Sequence, residues 1–176
     1  MKTKLKLKLA IASAIVAGAM GLSATSYAAT TTGSMAVTAE VAMSCAITTG
    51  EMAFGTYDPT STTALDATAT ITSTCTSGGA TIMTMGKGSN YLPTSTDAIP
   101  LRRMSDGAAG DFPQMLDYHL YSDSAGGTVW GNTDSTGKAI TATGTAQAIT
   151  VYGQITAQQS VSEASFSDSV LVTLSY

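Results

Sequence analysis

Histidine is almost absent from this sequence of 176 residues, and its absence removes two kinds of site. His119 is the only histidine, and the chain has only two cysteines. Zinc sites take their ligands mostly from these two residue types, so the sequence predicts no zinc centre. A catalytic triad needs a nucleophile, a base and an orienting group, and no Gly-x-Ser-x-Gly turn accompanies His119. We therefore expect His119 to be a surface histidine facing solvent on a strand, in a protein without catalytic residues, metal or cofactor.

Positive charge is scarce as well. Charged residues make up 11% of the chain, against about 25% in an average domain. Four of the eight basic residues are lysines at positions 2 to 8, and without them the net charge of −4 becomes 4 − 12 = −8. A chain with this balance offers no basic surface to nucleic acid or to an anionic membrane. We therefore expect no nucleic-acid partner.

Only one long apolar run occurs, from Leu9 to Leu22. It is shorter than the stretch of about 20 residues that a membrane helix needs. The four lysines precede it, and Ser26-Tyr27-Ala28 follows with small residues at the two positions that a signal peptidase reads. This three-part pattern predicts a secretory signal peptide over residues 1–28, cleaved after Ala28. The mature chain is thus expected outside the cytoplasm.

The cysteine pair fits that location. Exported proteins form disulfides readily, so an even pair favours one bridge between Cys45 and Cys75. Both residues lie on the apolar parity of alternating segments and can therefore point into one core. Closing a loop of about thirty residues is worth roughly 3–4 kcal/mol in the chain-entropy model.

The first segment after the signal alternates with a period of two. One parity of this segment is apolar and consists of Met35, Val37, Ala39, Val41, Met43 and Cys45. A two-residue period places one set of side chains on each face of a strand, so we predict a strand over Met35 to Cys45. Chain termini are usually poorly ordered unless something holds them. The pattern therefore indicates burial, either in this subunit's core or in a neighbour's.

Four further segments alternate in the same way, a fifth is a short apolar run, and none has a helical period. The alternating segments are Leu65 to Thr76, Met115 to Tyr121, Gln147 to Ile155 and Phe166 to Tyr176, and the apolar run is Thr81 to Met85. Turn-forming Gly, Pro, Asp and Ser residues separate them. Many short strands at this spacing predict an all-β, immunoglobulin-like sandwich, formed by a single domain over residues 42–176.

The last predicted strand lacks a partner. Phe166 to Tyr176 carries only one charge, Asp168, although a long apolar edge strand is normally protected by charge, Pro or a covering element. A strand left over at the start and an unpaired strand at the end are complementary. One subunit can therefore complete another by donor-strand addition. Within one chain the same segment could fold back instead, giving an ordinary sandwich.

Several stretches of the chain resemble one family in order and spacing. They are Phe54 to Pro59, Thr72 to Gly78, Leu116 to Asp123, Thr128 to Gly131, Val151 to Ile155 and Phe166 to Tyr176. On these residues the chain is similar to the spore coat protein U family, the subunits of archaic, Csu-type chaperone–usher pili. The resemblance covers nearly all of the mature chain.

The resemblance implies an immunoglobulin-like fold that lacks its final strand and is completed by a donated one. It implies a structural subunit that a periplasmic chaperone captures and an outer-membrane usher assembles. The product would be a head-to-tail polymer of identical or related subunits, exposed on the cell surface as a pilus that supports adhesion and biofilm formation.

The resemblance also assigns site residues. Residues 29–41 would form the donor segment, with Met35, Val37, Ala39 and Val41 as the side chains that enter the groove. The acceptor groove would be lined by Val170, Val172 and Leu174, and Tyr176 would lie near the basic anchor of the chaperone. The donor side chains are small, with Ala39 the smallest.

A second class of function stays open at this point. A freestanding secreted module could bind sugars or another surface through a face of Trp130, Tyr121 and Tyr152, because aromatic rings present apolar faces with polar edges. The alternative for Trp130 is packing beneath a loop of the sandwich, which we favour. A module of that kind folds alone as a monomer, whereas a pilus subunit depends on a chaperone or on its neighbours.

Overall fold

The computed structural model describes residues 27–109 and 113–176, and every regular element in these ranges is a β-strand. The strands are β1 Cys45–Thr49, β2 Leu65–Cys75, β3 Ala80–Met85, β4 Asn90–Tyr91, β5 Arg102–Ser105, β6 Met115–Tyr121, β7 Lys138–Thr141, β8 Gln147–Ile155 and β9 Val172–Ser175. No helix in these ranges has the length and hydrophobicity that a membrane span requires. The predicted signal peptide lies, up to residue 26, outside the described residues.

The strands form two antiparallel sheets. The larger sheet has six strands in the order β1-β2-β8-β6-β5-β4, and the smaller has three in the order β7-β3-β9. Non-consecutive neighbours such as β2 and β8, or β3 and β9, place strands from distant parts of the sequence side by side. The predicted all-β sandwich is thereby confirmed.

The alternation read from the sequence matches burial in the long strands. In β2, Ile71, Ser73 and Cys75 are buried, and in β8 the inward residues include Ile149 and Val151. In β6, Leu116, Tyr118 and Leu120 share the inward parity, whereas Tyr121 is buried on the opposite face. Because a strand turns successive side chains to opposite faces, the inward residues of β2, β6 and β8 form one continuous, largely apolar surface of the larger sheet.

That surface is covered mainly by two methionines of the smaller sheet and a tryptophan from a loop. Met83 and Met85 of β3 are buried, and Trp130, from the loop between β6 and β7, is completely inaccessible to solvent. The indole Nε1–H of Trp130 donates to the carbonyl of Met83 at 2.8 Å. The buried ring is therefore both packed and hydrogen-bonded, as a buried tryptophan should be.

The first and last strands of the structure are shorter than the alternating segments of the sequence in which they lie. Within one copy, β1 begins only at Cys45 and residues 27–44 have no ladder partner, so the strand predicted from Met35 onward stays a prediction for pairing with a second copy. Residues 27–39 belong to one compact unit of the chain, 1–39, and residues 40–44 belong to the other, 40–176. At the other end, Phe166 to Leu171 lies outside β9, because β3 ends at Met85 and offers no further ladder. Alternation alone does not create a strand where no neighbouring backbone is available.

The predicted pair of cysteines forms a disulfide in the structure. Cys45 and Cys75 are opposite each other at the start of β1 and the end of β2, with an S–S distance of 2.09 Å and a Cα–Cα distance of 4.1 Å. The bridge lies at the edge of the larger sheet. It fixes the register of β1, which is only five residues long.

We predict that replacing both cysteines by alanine lowers the free energy of unfolding by roughly 3–4 kcal/mol, because the unfolded chain regains the entropy of the closed loop. Urea denaturation followed by tryptophan fluorescence measures this, since Trp130 is fully buried. The oxidised parent chain, treated in parallel, is the control. A loss below about 1 kcal/mol would show that the bridge constrains little.

Candidate functional site

An open groove separates the edges of the two sheets. The edge strand β1 pairs only with β2, and the edge strand β9 pairs only with β3. Between these edges lies a cavity of about 350 Å³. Its lining is largely apolar and includes Met52, Phe54, Ala69, Ile71, Met85, Met104, Leu120, Val151, Phe166, Val170 and Val172. The core of the sandwich is therefore accessible along this side.

The groove extends beyond this cavity in both directions. A second cavity of about 620 Å³ shares Met52, Phe54 and Phe166 with the first. A third, more open cavity shares Val170 and Val172 with it. The three cavities therefore adjoin one another along residues 161–172.

The wall of the groove on the side of β9 alternates although most of it is outside a ladder. Phe166, Asp168, Val170 and Val172 are partly buried, and Ser167, Ser169 and Leu171 between them are exposed. Only a few backbone contacts hold the part before β9. Ser167 forms a bridge with Ser105 at the end of β5, and the carbonyl of Leu171 accepts from the amide of Gly86 at 2.9 Å. We call residues 166–171 the crossing segment, because they pass from the larger sheet to the smaller.

One carboxylate holds the middle of the crossing segment. Oδ1 of Asp168 accepts from the backbone amides of Ser89 at 2.8 Å and Asn90 at 3.1 Å, and from Nδ2 of Asn90 at 3.4 Å. Oδ2 accepts from the hydroxyl of Tyr118 at 2.7 Å. Burial and this hydrogen bond raise the pKa of Tyr118 above its ordinary value, so it remains a neutral donor. The hydrogen bonds of the Asp168 side chain therefore hold this segment in place where no neighbouring strand pairs with it.

Gly88 is what allows the carboxylate to reach these amides. Its φ is +86°, a backbone conformation that residues with a side chain rarely adopt. A Cβ atom at this position would clash with the carboxylate of Asp168. The stretch Gly86-Lys87-Gly88 after β3 therefore makes room for the anchor of the crossing segment.

A buried arginine lies beside this carboxylate. The guanidinium of Arg102 donates from Nε to the carbonyl of Gly86 at 2.8 Å, and from Nη2 to the carbonyls of Met85 at 3.0 Å and Trp130 at 2.7 Å. Burial lowers its pKa to about 10, an effect that the charge of nearby Asp168 opposes, so it stays charged at neutral pH. Its Nη1 is buried without a partner among the described residues.

The residues assigned to the site from the sequence lie at different depths. Val170 and Val172 line the groove, and Leu174 packs half-buried against the core. Tyr176 is 64% exposed at the end of the chain. In the proposed donor segment Met35 is 85% exposed, Val37 82% and Val41 81%, and Ala39 is exposed too.

Sequence reasoning did not identify the opposite wall and the floor of the groove. Met52 and Phe54 come from an irregular stretch after β1 and pack over Gly153 of β8, where a Cβ would come within 2.7 Å of the Phe54 ring. Met104 of β5 adds a third flexible thioether beside Met85. A signal was available for Phe54, which lies in a stretch on which the family resemblance depends.

The aromatic face of the alternative module is not present. Trp130 is fully buried and Tyr121 is only 7% exposed, so neither ring can stack on a sugar at the surface. Trp130 is therefore a packed ring and not a surface-binding one, as the favoured alternative held. His119 lies on the outer face of β6, the side expected for it, where it is half-buried with its ring 6.1 Å from that of Tyr121.

No set of three His, Cys, Asp or Glu side chains in the described ranges is arranged to hold a metal ion. Asp168 in the wall of the groove and the neighbouring Arg102 are instead hydrogen-bonded to backbone groups. The site is thus an apolar groove between two free sheet edges, with one hydrogen-bonded carboxylate in its wall. Such a geometry is suited to receiving an extended polypeptide.

Comparison with known proteins agrees with this architecture. The model of the Spore Coat Protein U domain matches residues 31–173. Protein U of Myxococcus xanthus is 32% identical over 179 residues, covering 97% of this chain and 98% of that protein. The chain therefore belongs to the Spore Coat Protein U domain family.

A solved structure shares the fold. It is a chain of the chaperone–tip adhesion subunit pre-assembly complex from the archaic chaperone-usher Csu pili of Acinetobacter baumannii, with a TM-score of 0.53 and 15% identity. The match covers 77% of this chain and 40% of that one, so this chain spans less than half the length of its structural relative. At this identity the likeness concerns the fold.

We predict that Tyr118→Phe lowers the free energy of unfolding by about 1–3 kcal/mol, because the carboxylate of Asp168 loses a buried hydrogen-bond donor. Chemical denaturation of the purified chain measures the change. Tyr121→Phe is the matched control, since the structure gives its hydroxyl no partner in the described part of the chain, and it should cost less than about 0.5 kcal/mol. Equal costs would contradict the role of Tyr118.

The environment of His119 predicts a pH dependence. Burial, with a smaller contribution from the charge of Arg102, lowers the pKa of His119 below its ordinary value, and Asp117 opposes this. The unfolded chain then binds the proton more readily than the folded chain, so stability falls as the pH drops through about 6.5. Denaturation between about pH 7.5 and pH 5.5 should show this loss in the parent chain and a flatter profile in His119→Gln. Parallel profiles would contradict it.

Proposed function

We propose that this chain is a structural subunit of an extracellular pilus that polymerises by donor-strand complementation. The observation that carries the proposal is the apolar groove between the free edges of β1 and β9. An exposed, alternating segment at residues 29–41 is available to fill the same groove in another copy. Membership of the Spore Coat Protein U domain family and the fold shared with a chain of the Csu complex support it.

The energetics of strand capture favour assembly. A strand laid along β9 gains main-chain hydrogen bonds worth roughly 0.5–1.5 kcal/mol each. Burial of each Val or Met side chain adds about 1.5–3 kcal/mol. Association costs several kcal/mol in lost freedom, so only the surplus appears as affinity. The contact joins different surfaces of two copies, and it therefore propagates as an open filament unless the rotation closes a ring.

The open groove also explains the need for partners before assembly. An apolar groove between unpaired edges is an aggregation hazard in an isolated subunit. A periplasmic chaperone that lends a strand would cover it, and an outer-membrane usher would exchange that strand for the segment of the next subunit. Export through the signal peptide at residues 1–28 brings the chain to this pathway. The resulting surface fibre would support adhesion and biofilm formation, and the subunit itself would have no catalytic activity.

A peptide titration tests the proposal. A chain of residues 42–176 is mixed with a synthetic peptide of residues 29–41, and its thermal unfolding midpoint is followed. At a hundredfold excess over the dissociation constant, linkage gives about 2.7 kcal/mol of stabilisation, which corresponds to an upward shift on the order of 10 °C.

The matched control is the same peptide with Val37→Asp. A charge placed in an apolar groove loses its hydration without gaining a partner, so the shift should disappear. Monomer stability that is already high and unaffected by the parent peptide would contradict the proposal. That outcome would favour a domain that folds alone.

A further inference from the structure

We infer that Asp168 sets the register of the donated strand by accepting only a small side chain over its carboxylate, and that this side chain is Ala39 of a second copy. The inference rests on the proposed function and extends it from the existence of the groove to the position of its occupant. Three observations support it: the side chain of Asp168 lines the groove, side-chain size varies along residues 35–41, and charge is unevenly distributed in the groove and the donor segment.

Asp168 interrupts an otherwise apolar wall. It shares its parity with Phe166, Val170 and Val172, and all four line the same cavity. Its carboxylate cannot turn away from the groove without losing the amides of Ser89 and Asn90 and the hydroxyl of Tyr118. A bulky apolar side chain laid over it would strip water from a carboxylate that is only partly buried, which is costly.

The donor segment has one small residue among its inward side chains. Met35, Val37 and Val41 are large enough to fill an apolar groove, whereas Ala39 is not. The antiparallel arrangement that sets Ala39 opposite Asp168 brings every larger side chain opposite an apolar one. The pairs are then Val41 with Phe166, Val37 with Val170, and Met35 with Val172.

Other registers lose this match. Sliding the donor by two residues keeps its apolar face inward but sets either Val37 or Val41 over the carboxylate. Sliding it by one residue turns the apolar set out of the groove altogether. Within the antiparallel arrangement, the pattern of small and large side chains therefore has a single best fit to the wall.

Charge agrees with that fit. The lining of the central cavity contains two acidic residues, Asp168 and Glu51, and no basic residue among those described. Residues 29–39 carry no charge, and Glu40, the first charged residue after them, has the opposite parity to Ala39. Glu40 therefore points away from the groove when Ala39 faces into it.

The sign of a charge at position 39 tests the inference. The oxidised chain of residues 29–176 is refolded, and the fraction of polymer that resists sodium dodecyl sulfate is measured. Ala39→Asp should reduce this fraction about tenfold or more relative to Ala39→Lys, because a like charge opposite Asp168 is repelled whereas a lysine is attracted. At the control position, Val37→Asp and Val37→Lys should reduce it equally.

A charge-relief experiment completes the test. Asp168→Asn should restore assembly of the Ala39→Asp chain and leave the Val37→Asp chain defective, because only contacting residues couple strongly. If Asp168→Asn fails to fold, the comparison of Asp with Lys at position 39 decides alone. If the parent chain polymerises and Ala39→Asp and Ala39→Lys reduce the polymer equally, only the register is overturned. A parent chain that forms no polymer would overturn the proposed function as well.

Discussion

The buried guanidinium of Arg102 is the interaction on which the rest of the sandwich depends. It collects the carbonyls of Met85, Gly86 and Trp130, where β3 ends and the chain leaves the smaller sheet for β4. Without a donor there, these buried carbonyls would each cost free energy. The chain can therefore pass from one sheet to the other in the interior. The neighbouring Asp168 satisfies backbone amides in the same way where the crossing segment returns to the smaller sheet. The groove is open because β1 pairs only with β2 and β9 only with β3, which leaves both sheet edges without a further ladder.

The sequence predicted the parts of the fold that are long and locally regular. The predicted bounds of β6 and β8 agree with the structure, and the inward parity of Ile71, Tyr118 and Val151 is the one observed. Their alternation is strong enough to specify one face without knowledge of the partner strand. The cysteine pairing was accessible for a similar reason, since export and parity together restrict it.

What could not be predicted depends on contacts between distant segments. β4 has two residues and β5 and β7 four each, too short for a period to appear. Arg102 belongs to a residue type that is rarely buried, so its place in the core follows only from the carbonyls gathered around it. The role of Asp168 likewise requires Gly88 to bring the amides of Ser89 and Asn90 into reach. Its inward parity was visible in the sequence, although its partners were not.

The disulfide has a mechanical consequence. In a fibre of the proposed kind, tension enters each subunit through the segment that precedes β1. That pull would act first on Cys45 and Cys75, the outermost residue pair of the β1–β2 ladder. Without a disulfide there, it would separate the remaining pairs one at a time. Because the outermost pair is covalently bonded, the load passes directly into β2, which is hydrogen-bonded to β8 over nine residue pairs. The hydrogen bonds of the β2–β8 ladder then bear the load together, so tension on the fibre does not separate the short edge strand β1 from β2.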